Sequence, residues 1–171
     1  YVGAMQAVKK FETKLRKHSR PREFDENLRT LKVRVQLASG DWQTPSHWAE
    51  QILPGKDFVL HEDYYRLTLA RVYLVQARYE KVEKILAGFT PSAAVGSRIA
   101  RQLESNLLLA AAVAGQQRLP EAVELVDSCL AMAEPEGYIR VFLDVGEPAC
   151  ELLRAYLQSS DFDHELYARR V

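Results

Sequence analysis

The side chains that could do chemistry in this chain are scattered rather than gathered. Four histidines, His18, His47, His61 and His164, stand in different segments and at no metal-binding spacing, so each reads as a surface or hydrogen-bonded imidazole. His61, Glu62 and Asp63 form the densest polar cluster, a composition suited to acid and base work. Acidic residues also gather where a helix begins, because the amide groups there carry a partial positive charge, and that explains Glu62 and Asp63 without catalysis. Asp144 stands beside Gly146, Glu147 and Pro148 within AEPEGYIRVFLDVGEP, residues 133–148. This stretch reads as a short buried strand, as a loop presenting a carboxylate, or as the closing piece of a helical array. Its turn-forming neighbours favour a helix-entry role for Asp144. Neither a GxSxG elbow nor a GxxxxGK[ST] phosphate loop occurs. The expectation is that the segment is not an enzyme and holds no metal or cofactor.

Composition narrows the class. The 171 residues suffice for one domain, or one block of stacked repeats, with a core that needs no disulfide. Cys129 and Cys150 are far apart and outside any CxxC pattern, which favours a reducing compartment. Basic and acidic side chains balance at 23 each, so the sequence-wide basic excess of a nucleic-acid binder is missing. The balance hides an asymmetry: residues 1–22 carry seven basic side chains against Glu12 alone, a net +6, and the remainder carries −6. A solvated helix face meeting a neighbouring domain is the simplest reading, with a phosphate or nucleic-acid contact as the alternative. No signal peptide and no apolar run near the ~20 residues of a membrane span is present. A cytoplasmic protein with no membrane contact is expected. The absence of an initial methionine before Tyr1 suggests a piece of a longer chain.

Any functional residues must be positioned by helices. Apolar residues recur at helical spacing, most clearly Leu67, Leu69, Ala70, Tyr73, Leu74 and Ala77 between His61 and Arg78. Comparable helices are predicted for residues 5–18, 26–39, 44–53, 79–87, 98–115, 120–133, 148–158 and 162–170, separated by Pro, Gly or polar clusters.

The helices also repeat. LASGDWQTPSHWAEQI (37–52), LVQARYEKVEKILAGF (74–89) and AGQQRLPEAVELVDSC (114–129) align so that Gly40, Ala77 and Gln117 share a turn position, 37 and then 40 residues apart. Trp42, Tyr79 and Leu119 follow two residues later as large apolar wedges. A helix-turn-helix unit with spacing near 40 is the pattern of a tetratricopeptide-like solenoid, in which each pair has an apolar face that only its neighbours can bury. Pro45, where Val82 and Ala122 stand in the other units, is tolerable in a first helical turn. The fold expected is all-α, a right-handed superhelix of about three helix pairs plus capping helices. Residues 1–22 form a basic helix or linker, 23–133 the pairs and 134–171 the cap, in which Tyr138, Val141, Phe142 and Leu143 cover the array's apolar end.

ARVYLVQARYEKVEKIL (70–86), the helix ending in LLLAAAVAG (107–115) and EAVELVDSCLAMAEPEGYIRVFLDVGEPACELLRAYL (121–157) resemble the superhelical repeat region of large MalT-like transcription regulators of the LuxR family. An AEPEGYxRxFLDEG-like stretch closes the array in that family; Val145 replaces the more usual acidic residue. The resemblance covers roughly residues 25–170. It implies an ATP-binding module before the repeats, a DNA-binding helix-turn-helix after them, and repeats that sense an inducer and self-associate as a homo-oligomer. On that basis ATP and DNA are expected to be bound only by modules outside this segment, and the effector is an unidentified small molecule or a protein. A generic repeat scaffold for protein partners is the second class.

First helices of stacked pairs line the concave side of such an array. Arg34 and Arg71 occupy equivalent positions, with Ala111 in the third unit; Asn27, Tyr64 and Glu104 form a second row. Guanidinium forks suit carboxylates, phosphates or sugar hydroxyls, and tyrosine adds a stacking face with a polar tip. Asn27, Arg34, Tyr64, Arg71 and Glu104 are therefore the candidate ligand contacts. The competing reading is that the arginines only bridge adjacent helices.

Overall fold

The structure is a computed structural model that describes residues 2–15, 22–52, 62–91, 98–159 and 163–171. Those residues form ten helices and no strand. Contacts divide the chain into two compact units, Tyr1–Gln76 and Ala77–Val171.

The first unit contains α1 (Val2–Leu15), α2 (Arg22–Ala38), α3 (Gln43–Glu50) and α4 (Glu62–Val75), with α2 packed against the other three and α3 against α4. Val8, Leu28, Val33, Trp48, Leu67, Leu69, Ala70 and Val72 supply its core. Trp48 meets Tyr65 edge-on at 5.2 Å, so the indole braces α3 against α4. The basic helix α1 is part of this unit. Its Val8 is buried, Phe11 lies 6.2 Å from Phe24 of α2, and Glu12 pairs with Lys32 of α2.

The second unit contains α5 (Tyr79–Leu86), α6 (Arg98–Gly115), α7 (Leu119–Ala133), α8 (Arg140–Val145), α9 (Glu147–Gln158) and α10 (Glu165–Ala168). At its centre is α6, which packs against α5, α7, α8 and α9. The buried Ala110, Ala111 and Ala112 of α6 keep that helix slim where its neighbours approach.

The repeat phase is visible in the backbone. Gly40, Ala77 and Gln117 all take left-handed φ, +85°, +55° and +64°. In the first and third turns the next amide reaches back over the helix end, Asp41 to the Gln36 carbonyl at 3.0 Å and Arg118 to the Val113 carbonyl at 3.2 Å. This bond pairs carbonyls that a helix terminus otherwise leaves unsatisfied, and it requires the left-handed residue.

The wedges behave unequally. Tyr79 lies flat on Gly115, where an added Cβ would come within 2.4 Å of its ring. Trp42 and Leu119, expected to fill equivalent gaps, are 57% and 48% exposed. The repeat shows one difference for Trp42: at Gly115's place in the preceding pair stands Val75, which carries a side chain where Gly115 has none.

AEPEGYIRVFLDVGEP is neither strand nor loop but holds a helix of its own. A left-handed turn at Gly137 ends α7, with the Tyr138 amide bonded to the Ala133 carbonyl at 3.1 Å, and α8 follows at Arg140. Helical rather than alternating geometry puts Phe142 and Val145 inward, three residues apart, and leaves Leu143 57% exposed, so Leu143 does not cover the core as expected. Asp144 also departs from expectation. It sits in the last turn of α8 paired with Arg140 at 2.7 Å, and Gly146 is the residue that leads into α9. The helix anticipated over 162–170 is a single turn, Glu165–Ala168; residue 162 lies outside the described residues, as do His18 and His61.

Candidate binding face

Two first-position helices of the first unit carry four of the five candidate residues. Asn27 and Arg34 lie on α2, Tyr64 and Arg71 on α4, and all four are half-buried. Arg34 and Tyr64 meet: the guanidinium carbon stands 4.2 Å from the centre of the Tyr64 ring, a cation over the negative face of an aromatic. Arg34 Nε also donates to Thr68 Oγ1 at 2.8 Å, and that hydroxyl donates to the Tyr64 carbonyl at 2.7 Å. One guanidinium is thus fixed by a ring on one face and a hydroxyl at its edge, and it ties α2 to α4. Glu104 lies half-buried on α6 of the second unit.

Thr68 is the participant that the sequence reading missed. It is fully buried, between Leu67 and Leu69, and an isolated hydroxyl in a helix face of that kind needs a partner. Its spacing of four from Tyr64, repeated by Thr30 and Glu26 on α2, was the available signal, since a threonine can donate to the carbonyl one turn back.

Next to Tyr64 on α4, Tyr65 packs on Trp48. Burial first, and then the Glu26 carboxylate, push the Tyr65 phenol up to about 12, so it stays protonated. The second unit has its own polar connections. Glu83 of α5 accepts from the Gln116 amide and from Arg118, whose fork also holds Glu121, and the Gln116 bond chiefly keeps the Glu83 carboxyl below its usual range. Tyr156, buried in α9, donates to Asp127 of α7 at 2.7 Å and accepts the His164 amide at 3.3 Å. His164 also bonds Glu134 at 2.6 Å, and the Tyr167 hydroxyl donates to the Ala133 carbonyl at 3.3 Å. Together these bonds hold the last turn on α7 and α9.

Among the described residues no group of three or more His, Cys, Asp or Glu side chains could hold a metal, and no helix is long and apolar enough to cross a membrane. His47 bonds Gln51, the residue just past the end of α3, at 3.0 Å, and Cys129 is buried in the core with its thiol pushed up to about 12 by desolvation. What the α2–α4 face offers is recognition chemistry: an oriented guanidinium, a phenol and an amide on two neighbouring helices.

Comparison with known families gives a match over residues 3–159 to a model described as the MalT-like TPR region. No curated protein and no solved structure matches.

Proposed function

The chain belongs to the MalT-like tetratricopeptide family, a repeat region rather than a catalytic domain, and from that premise we propose that it is the sensing and self-association domain of a signal-responsive LuxR-type transcription regulator. It controls ATP-binding and DNA-binding modules that lie elsewhere in a longer, cytoplasmic protein. In this reading the α2–α4 face, with Asn27, Arg34, Tyr64 and Arg71, contacts the effector, and Glu104 is the corresponding row position in the second unit. The observation that carries it is the ordering of Arg34 by Tyr64 and Thr68. A guanidinium held in place beforehand loses less entropy when it grips a carboxylate, phosphate or sugar hydroxyl.

A thermal-shift screen of the chain against sugars, nucleotides and organic acids tests the proposal. A stabilising effector is expected, and Tyr64→Ala and Arg71→Ala should abolish its shift while leaving far-UV ellipticity intact. Equal shifts in variants and wild type would remove these residues from the site. The exposed indole of Trp42, a residue type over-represented among interface hot spots, favours the second reading, a scaffold for protein partners. Stabilisation by a peptide or protein and by no small molecule would select it.

A further inference from the structure

The chain's balanced charge is not balanced on α1. Val8 is buried and Met5 and Glu12 are half-buried on one side of this helix, and its only acid, Glu12, is taken up by Lys32 of α2. Lys10 and Lys14, four residues and ~6 Å of helix apart, point to the opposite side, with Lys9 at its flank. All three lysines are exposed, and among the described residues no carboxylate pairs with them. We propose that this outer face of α1 docks the phosphate backbone of nucleic acid without sequence preference.

Three features select that partner among anions. A helix that holds itself on a lipid surface adds an inserted apolar face to its charge, and α1 has little of one to spare: Val8 is buried and Phe11, though 49% exposed, lies against Phe24 of α2. A protein partner is the poorer match, because lysine is depleted at protein interfaces while its compact, mobile ammonium suits the point charges of phosphates. Sequence reading is absent because α1 offers no arginine, asparagine or glutamine on the lysine side beyond Gln6, one turn before Lys10. In sequence, residues 1–22 carry a net +6 against −6 for the rest, so this segment is the one whose charge favours an anionic partner.

The inference stands apart from the effector reading, since neither outcome of the thermal-shift screen bears on it. Anisotropy of a labelled duplex of about 25 base pairs, titrated with the full chain at low salt, is the test. Three neutralised phosphates give a log–log salt slope of about −2.7, a loss of roughly 40-fold in affinity between 50 and 200 mM salt. The double variant Lys10→Gln/Lys14→Gln should lower affinity at least tenfold and make the slope shallower by nearly 2, and Lys84→Gln on α5 should change neither. Far-UV ellipticity checks that each variant is folded. No binding of the duplex at low salt, or an unchanged slope in the double variant, overturns the proposal. Binding of anionic vesicles or polyglutamate in preference to the duplex also overturns it, in favour of a lipid or an acidic protein.

Discussion

Gln117 pays for its position in the repeat. A side chain at φ +64° brings Cβ against the following carbonyl at a cost of about 1 kcal/mol, a strain that Gly40 avoids at the same place in the first turn. Gln117 is exposed, so nothing packed is lost when its side chain goes. Gln117→Gly is expected to raise stability by about 0.5–1 kcal/mol in urea denaturation, the gain being trimmed by the freedom glycine has in the unfolded chain. Gly40→Ala should lower it by about 1 kcal/mol; changes of the same sign in both variants would mean that the turns are not equivalent. The turn position itself was legible from spacing alone. The candidate face was legible only in part. Aligning repeats says which residues are equivalent, as Arg34 is to Arg71, but not which rows touch between neighbouring helices. Arg34 and Tyr64 were therefore assigned to separate rows, although the structure stacks one on the other.

At the scale of the element, legibility follows length. The bounds of α6 were read correctly because eighteen residues hold five turns of apolar periodicity. The six residues of α8 hold fewer than two turns, and its apolar run suited a strand equally well, so only the glycines at its ends could be interpreted. Wedge packing is an element-scale property as well, since it needs a large residue at the start of one helix and an absent side chain at the end of another. Tyr79 and Gly115 meet both conditions; Trp42 and Val75 meet only the first. Val75→Gly should therefore seat the indole. Measured in a Trp48→Phe background, so that Trp42 is the single emitter, its fluorescence is expected to shift to the blue and become less accessible to a soluble quencher. The new glycine costs about 1 kcal/mol of helix propensity, which the buried indole offsets. An unmoved emission maximum would show that a missing side chain is not enough to make the seat.

Over the whole molecule, alkaline pH acts on both units through groups that burial keeps protonated. Tyr65 in the first unit is raised from 10.0 to about 12, and Cys129 in the second from 9.0 to about 12, in each case chiefly by desolvation. Tyr156 and Tyr167 are raised as well, burial again being the first cause, with the bond to Asp127 adding to it for Tyr156. In every case the folded state holds its proton at a pH where the unfolded chain has released it. The stabilisation is thus complete below the unfolded values and is lost as pH rises through the folded ones, a window from about pH 9 to 12. Denaturant midpoints should be level near pH 8 and fall progressively to pH 11. Both tryptophans lie in the first unit, so their emission reports the unit that contains Tyr65. Tyr65→Phe keeps the ring against Trp48 but removes the ionisable hydroxyl, and the fall read by tryptophan emission should shrink in that variant. Tyr156→Phe, made in the second unit, provides the comparison, with its effect sought in ellipticity. If emission midpoints in wild type and Tyr65→Phe fall in parallel between pH 8 and 11, ionisation of Tyr65 is not what opens the first unit in alkali.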